Sequence, residues 1–127
     1  MKTKKKEIDH AKNQARAQFE HIKDMLERLD KNYREIGQES PVDQEIQEHP
    51  LEITYRSDWR PYGENLKPSE FNILLCTGGP AVRIIGEVDL SDCHIEYQDW
   101  GTQWTEYRLD MADTEILLRY CQYFVFE

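Results

Sequence analysis

Apolar residues recur along the first third of the chain at Ile8, Ala11, Ala15, Phe19, Ile22, Leu26, Leu29, Tyr33 and Ile36. The steps are three or four residues and no proline or glycine interrupts them. That spacing predicts one amphipathic helix from about Ile8 to Ile36, with Gly37 as its stop. Residues 1–6, charged and with nothing to bury, are expected to be disordered. At ~1.5 Å per residue the helix would run to roughly 40 Å, more than a domain of this size can cover. Set in heptads, Phe19, Leu26 and Tyr33 take the a positions, and Ile22 and Leu29 take d with Ala15 and Ile36. The stripe can pack on the chain's own sheet, or it can pair two chains in a homodimer.

The pattern then changes. Ser40-Pro41-Val42-Asp43 reads as a cap followed by a short helix to about Glu48, closed by His49-Pro50. Leu51–Tyr55 alternates, a half-buried strand with Leu51, Ile53 and Tyr55 inward. A loop carrying Trp59 and Tyr62 follows, with two prolines and a glycine between Arg56 and Ser69. Phe71–Cys76 and Ala81–Ile85 are apolar and of strand length. Thr77-Gly78-Gly79-Pro80 joins them, so a β-hairpin is expected at the centre of a sheet. Beyond a turn at Asp89–Asp92, Cys93–Tyr97 alternates with Cys93, Ile95 and Tyr97 on one face. Ala112–Tyr120 is helical, with Asp113 near its positive start, and Phe124-Val125-Phe126 forms a buried terminal segment. Strands in the middle and helices at the ends predict an α+β fold. Its antiparallel sheet has about four strands, with a long N-terminal helix and a C-terminal helix. Residues 1–37 form a helical extension and residues 38–127 the domain proper.

Charge sharpens this division. The formal net charge is −9. Residues 1–37 hold ten Lys/Arg against seven Asp/Glu, net +3, and residues 38–127 hold six against eighteen, net −12. An acidic body of this kind repels nucleic acid and anionic membranes and favours a basic protein partner. No apolar run reaches the ~18 residues of a membrane span, and no signal peptide is read, so a cytoplasmic protein is expected. Cys76, Cys93 and Cys121 are read as reduced, buried thiols.

Candidate chemistry is sparse. Gly78-Gly79 is followed by a strand, which suits a hairpin turn and not a phosphate cradle. The cysteines and His94 match no zinc spacing, and no metal or cofactor is expected. Cys93 and His94 are adjacent, so on a strand they point to opposite faces. A small enzyme using Cys76, Cys93 and His94, or Asp99 and Glu106 as an acid–base pair, is one alternative; a generic dimerisation module is another. The densest feature is Tyr97-Gln98-Asp99-Trp100-Gly101-Thr102-Gln103-Trp104-Thr105-Glu106-Tyr107, four aromatics and two acids in eleven residues. Aromatics so close cannot all point inward. Trp59, Asp99, Trp100, Trp104 and Glu106 are therefore the candidate partner-binding residues, with Trp and Tyr as anchors and carboxylates selecting a basic surface. Core packing of Trp100 and Trp104 at the sheet edge is the competing account.

The runs SDWRPYGE, EFNILLCTGGPAVRIIGEVD, IEYQDWGTQWTEY and ILLRYCQYFVFE resemble a family of small proteins encoded by phages, prophages and other mobile elements. The resemblance covers roughly residues 50–127 and leaves out the N-terminal helix; the chain's ending, Tyr-Phe-Val-Phe-Glu, departs from the family's. It implies no catalytic residues. It implies a small accessory protein, cytoplasmic in a bacterial host; the acidic body and the aromatic segment add the expectation that it acts by stoichiometric binding. An acidic inhibitor of a nucleic-acid-binding defence complex, such as a CRISPR effector or restriction enzyme, fits that setting, because such complexes bind largely through phosphate charge.

Overall fold

The hairpin expected at the centre supplies the second and third strands of a five-stranded antiparallel sheet. The computed structural model describes residues 2–36, 41–99 and 101–124, and the side chains of the first helix from residue 10 to residue 33. Strands β1 (Glu52–Arg56), β2 (Glu70–Cys76), β3 (Ala81–Glu87), β4 (Cys93–Gln98) and β5 (Thr105–Tyr107) lie in sequence order as a meander. Helices α1 (Lys2–Ile36), α2 (Pro41–Glu48) and α3 (Met111–Cys121) complete an α+β fold. Helix α1 lies against β3, β4 and β5, and α3 lies against β4.

Strict alternation divides the two faces of the sheet. Phe71, Ile73 and Leu75 on β2, Val82 and Ile84 on β3, and Cys93, Ile95 and Tyr97 on β4 are buried toward the helices. Gly86 sits opposite Phe71, and a Cβ there would come within 2.6 Å of the Phe71 ring, so glycine is what lets the ring lie flat across β3. The pairing of β2 with β3 shifts between Leu74 and Cys76. This bulge brings Cys76 opposite the buried Val82 and ends the hairpin.

The α+β fold and its antiparallel sheet of about four strands are as expected, with a short fifth strand, β5, whose three residues are too few to show an alternation in sequence. Three expectations are corrected. On β1, Leu51 and Tyr55 were expected inward, yet they are 61% and 52% exposed, and Ile53 alone is half-buried. The reason is position: β1 is the sheet edge, beyond the strands that α1 and α3 cover. The first helix takes in Lys2–Lys6, where disorder was expected; lysine is a good helix former, and an existing helix gains one hydrogen bond per added residue. Finally, Phe19, Ile22, Leu26 and Leu29 do not form an open dimer seam. They are 4%, 0%, 2% and 6% exposed in one core with Ile84 and Ile95, while Tyr33 remains 65% exposed. Met25, outside the heptad stripe, is fully buried, because α2 adds Val42 and Ile46 to the same core. From Ala11 to Leu29 the helix belongs to the domain core and is not an extension.

Polar contacts fix the helices to one another. Arg28 of α1 grips Glu45 of α2 through two bonds of 2.8 Å, and Arg119 of α3 pairs with Asp30 of α1. Asp110 caps α3 by accepting from the Asp113 amide at 2.8 Å. His49, just after α2, links three elements. Its Nε2–H donates to Gln18 Oε1 at 2.8 Å, which leaves Nδ1 to accept from the Tyr120 hydroxyl at 2.7 Å. Tyr120 is fully buried and edge-on to Phe124 at 5.4 Å. Gly37, Ser40, Val125 and Phe126, assigned above to a stop, a cap and a terminal segment, lie outside the described residues.

Two outcomes follow. Leu26→Asp places an unpaired carboxylate in a dry core and should cost about 4 kcal/mol or more, read as a lower urea midpoint and not as a folded monomer replacing a dimer. His49 is a pH-sensitive contact. Burial pushes its pKa down from 6.5 to about 4. Between those values the unfolded chain binds a proton that the folded chain refuses. Its contribution is therefore complete above pH 6.5 and is lost as pH falls toward 4, with a slope of at most about 1.4 kcal/mol per pH unit. Urea melts of His49→Gln should lack that part of the slope.

Candidate functional site: the loop end of the sheet

The chain places its most exposed aromatics at one end of the sheet. There β1 runs into the loop 57–69, and β3 turns into β4. In that loop Pro61–Glu64 closes a turn, with Glu64 N–H donating to Pro61 O at 3.1 Å. Gly63 holds φ +94°, a value that L residues rarely adopt, and so sets the direction in which Tyr62 leaves the backbone. Arg60 braces the loop from within, donating to Asp58 at 2.8 Å and facing Glu64 at 3.9 Å. At its base Ser69 N–H donates to Arg56 O, and Val88 N–H donates to Ser69 O, which ties the loop to the β3–β4 turn. Trp59 and Tyr62 are fully exposed on this braced loop, and Leu66 is 72% exposed.

The adjoining turn is acidic. Glu87, Asp89 and Asp92 are exposed around it. Asp89 accepts from the Ser91 amide at 2.9 Å, and hydrogen bonds from Ser91 hold its carboxyl below the usual carboxylate range. Leu90 adopts φ 61°, unusual for a branched residue; its side chain packs against the core and fixes the turn's shape. The N-terminus of α3 lies nearby, across a cleft of about 260 Å³ lined by Asp92, His94, Glu106 and Thr114.

The sheet face turned away from the helices carries a second polar cluster. Arg83 and Glu96 are cross-strand partners, and Arg83 Nε donates to Glu96 Oε1 at 2.8 Å. His94 Nε2 bonds the other Glu96 oxygen at 3.0 Å. Burial alone would raise the Glu96 pKa, but the hydrogen bonds from His94 and Arg83 outweigh it and hold the carboxyl below its ordinary value. The Trp104 ring covers the Arg83 guanidinium at 3.9 Å. Beside this cluster is a shallow cavity of about 290 Å³, crossed by the row Thr54, Asn72, Ile85 and His94.

The candidate residues are thus separated. Trp59 stands at the loop end. Asp99 lies at the opposite end of the sheet, in a turn where its amide donates to Thr102 Oγ1 at 3.0 Å. Trp104, a candidate anchor with packing at the sheet edge as the competing account, is half-buried against Arg83. Glu106 is exposed and faces Glu96 across β4 and β5. Trp100 lies outside the described residues. The enzyme alternative is also dispersed. Cys93 is buried toward α3 while His94 lies on the opposite face, and Cys76 bonds Pro80 O at the hairpin end of the sheet. Cys121 is hydrogen-bonded to Cys93 and buried, and both effects raise its thiol pKa well above the ordinary value; burial does the same to Cys76. Among the described residues no three His, Cys, Asp or Glu gather as metal ligands, and no helix is long and apolar enough to cross a membrane.

Sequence reasoning missed the Arg83–Glu96–His94 cluster and the acidic turn beside Trp59. Alternation alone puts Arg83, His94 and Glu96 outward, but only the pairing register makes them neighbours. Comparison with protein-family models, curated proteins and solved structures finds no match.

The cluster yields one expected outcome. Trp104→Ala removes the ring from Arg83 and should cost about 1 kcal/mol by urea melts, while leaving fold and helix content unchanged in circular dichroism. The loss should shrink toward zero in an Arg83→Ala background if the ring acts through the guanidinium; an unchanged loss would mean that it does not.

Proposed function

We propose that this chain acts by stoichiometric binding to a basic protein surface, without turnover, and that the loop end of the sheet is its contact. The observation that carries the reading is the pair Trp59 and Tyr62, fully exposed on an internally braced loop beside the carboxylates of Glu87, Asp89 and Asp92. A rigid loop loses little entropy on binding, and exposed large aromatics gain most from being covered. The −12 charge of residues 38–127 gives long-range attraction to a basic partner. The resemblance to mobile-element proteins supports a bacterial cytoplasmic setting and a host defence complex as the target. A CRISPR effector or restriction enzyme has the basic nucleic-acid channel that such an acidic end would occupy.

Capture with the tagged protein from bacterial host extract, followed by native mass spectrometry, tests this reading. A complex of fixed stoichiometry is expected. Trp59→Ala with Tyr62→Ala should chiefly speed dissociation, by about tenfold or more. Glu87→Lys with Asp89→Lys should chiefly slow association, as should added salt, because steering acts over a Debye length of about 8 Å. Modification of excess target by a trace of protein would replace binding with catalysis, and retention of the partner by both variants would remove the loop end as the contact.

A further inference from the structure

We propose that β1 is a self-complementary edge strand through which two copies of this chain pair, antiparallel, about a two-fold axis at Thr54. The strand is the outer member of the sheet, with β2 as its sheet neighbour. Four of its five residues are exposed, and its register with β2 runs without a bulge. An edge strand with a row of open backbone groups invites another strand unless proline, a bulge or an unmatched charge guards it. Glu52–Arg56 has no proline and no bulge, and its two charges are of opposite sign, so they repel most strands but match a reversed copy of this one.

The sequence of the strand, Glu-Ile-Thr-Tyr-Arg, says which strand fits. With Thr54 opposite its own copy, Glu52 faces Arg56 of the second chain and Arg56 faces Glu52. On the other side of the strand Ile53 faces Tyr55, and Tyr55 faces Ile53. Opposite charges, a Thr–Thr pair and β-branched–aromatic pairs are the favourable cross-strand combinations. Reversing strand direction turns charge against opposite charge and apolar against apolar, as an isologous interface requires. Arg56 uses Nε for Glu70 at 2.9 Å, which leaves its terminal nitrogens for the second chain. Leu51 and Tyr55, which the helices leave 61% and 52% exposed, are the apolar surface that a second copy would cover. The product is one continuous ten-stranded sheet, and α1, whose stripe is spent in the core, takes no part.

Sedimentation velocity of the full chain from micromolar to millimolar concentration tests the proposal. A reversible dimer is expected for the unsubstituted protein. Glu52→Arg and Arg56→Glu each oppose like charges in their own dimers and should weaken self-association about tenfold or more. Mixed in equal amounts, the two variants oppose unlike charges and should form a heterodimer tighter than either homodimer. Thr54→Cys provides a geometric check. Paired Cα atoms at the axis would lie about 4.5–5.5 Å apart, within disulfide range, so oxidised glutathione should link two chains through this position but not link the unsubstituted protein. A monomer at every concentration, with no crosslink at Thr54→Cys, overturns the proposal and leaves the edge for an extended segment of another protein. A dimer indifferent to both charge variants also overturns it.

Discussion

The burial of one stripe of α1 against the inner face of β3 and β4 is the contact on which the rest of this molecule depends. Phe19, Ile22, Leu26 and Leu29 meet a surface made by Val82, Ile84 and Ile95, all 7% exposed or less. Neither side is stable alone. A five-stranded sheet with one apolar face needs a cover, and an isolated helix with this composition has little reason to persist in water. Burial at roughly 25 cal/mol per Å² makes this shared surface the main stabilising term, which is why the helix cannot also serve as an open dimer seam.

Around that contact, directional polar bonds choose one arrangement of the helices. Apolar packing alone would tolerate sliding of α2 and α3 on α1. The two-bond grip of Arg28 on Glu45 and the Arg119–Asp30 pair fix position, although exposed ion pairs add little stability. The His49 bridge differs in kind, since Tyr120 is fully buried and its hydroxyl needs an acceptor. A neutral imidazole supplies it, and the low pKa of His49 follows from that same burial.

Because the helices occupy only one face and only part of its width, chemistry is left to three uncovered regions: the loop end, the outer face and the β1 edge. The outer face carries a satisfied charge cluster capped by Trp104. The loop end carries aromatics, Trp59 and Tyr62, that stand fully exposed. Among the described residues, no strand lies beside the backbone groups of the edge. Acidic residues surround the loop end and the β3–β4 turn, so any protein meeting that end encounters negative charge before it meets an aromatic ring.

By itself the sequence determined the local elements of this protein. Periods of 3.6 and 2 are imposed by backbone geometry, so α1, α2, the hairpin 71–85, β4 and α3 could be read from the spacing of apolar residues. It also determined that Cys93 and His94 point apart, because alternation on a strand is local. Pairing was not local. Whether the α1 stripe met its own sheet or a second chain depended on where the chain returned in space, and both solutions bury the same residues. Leu51 and Tyr55 alternate as an inward face does, yet the helices stop short of β1 and leave them in water. Trp59 and Trp104 share composition and were grouped for it, but the meander carries them to different parts of the sheet, one in solvent and one over Arg83. Arg83 became a partner of Glu96 through strand register, which is set by the turns between β3 and β4 and by the whole core beneath them.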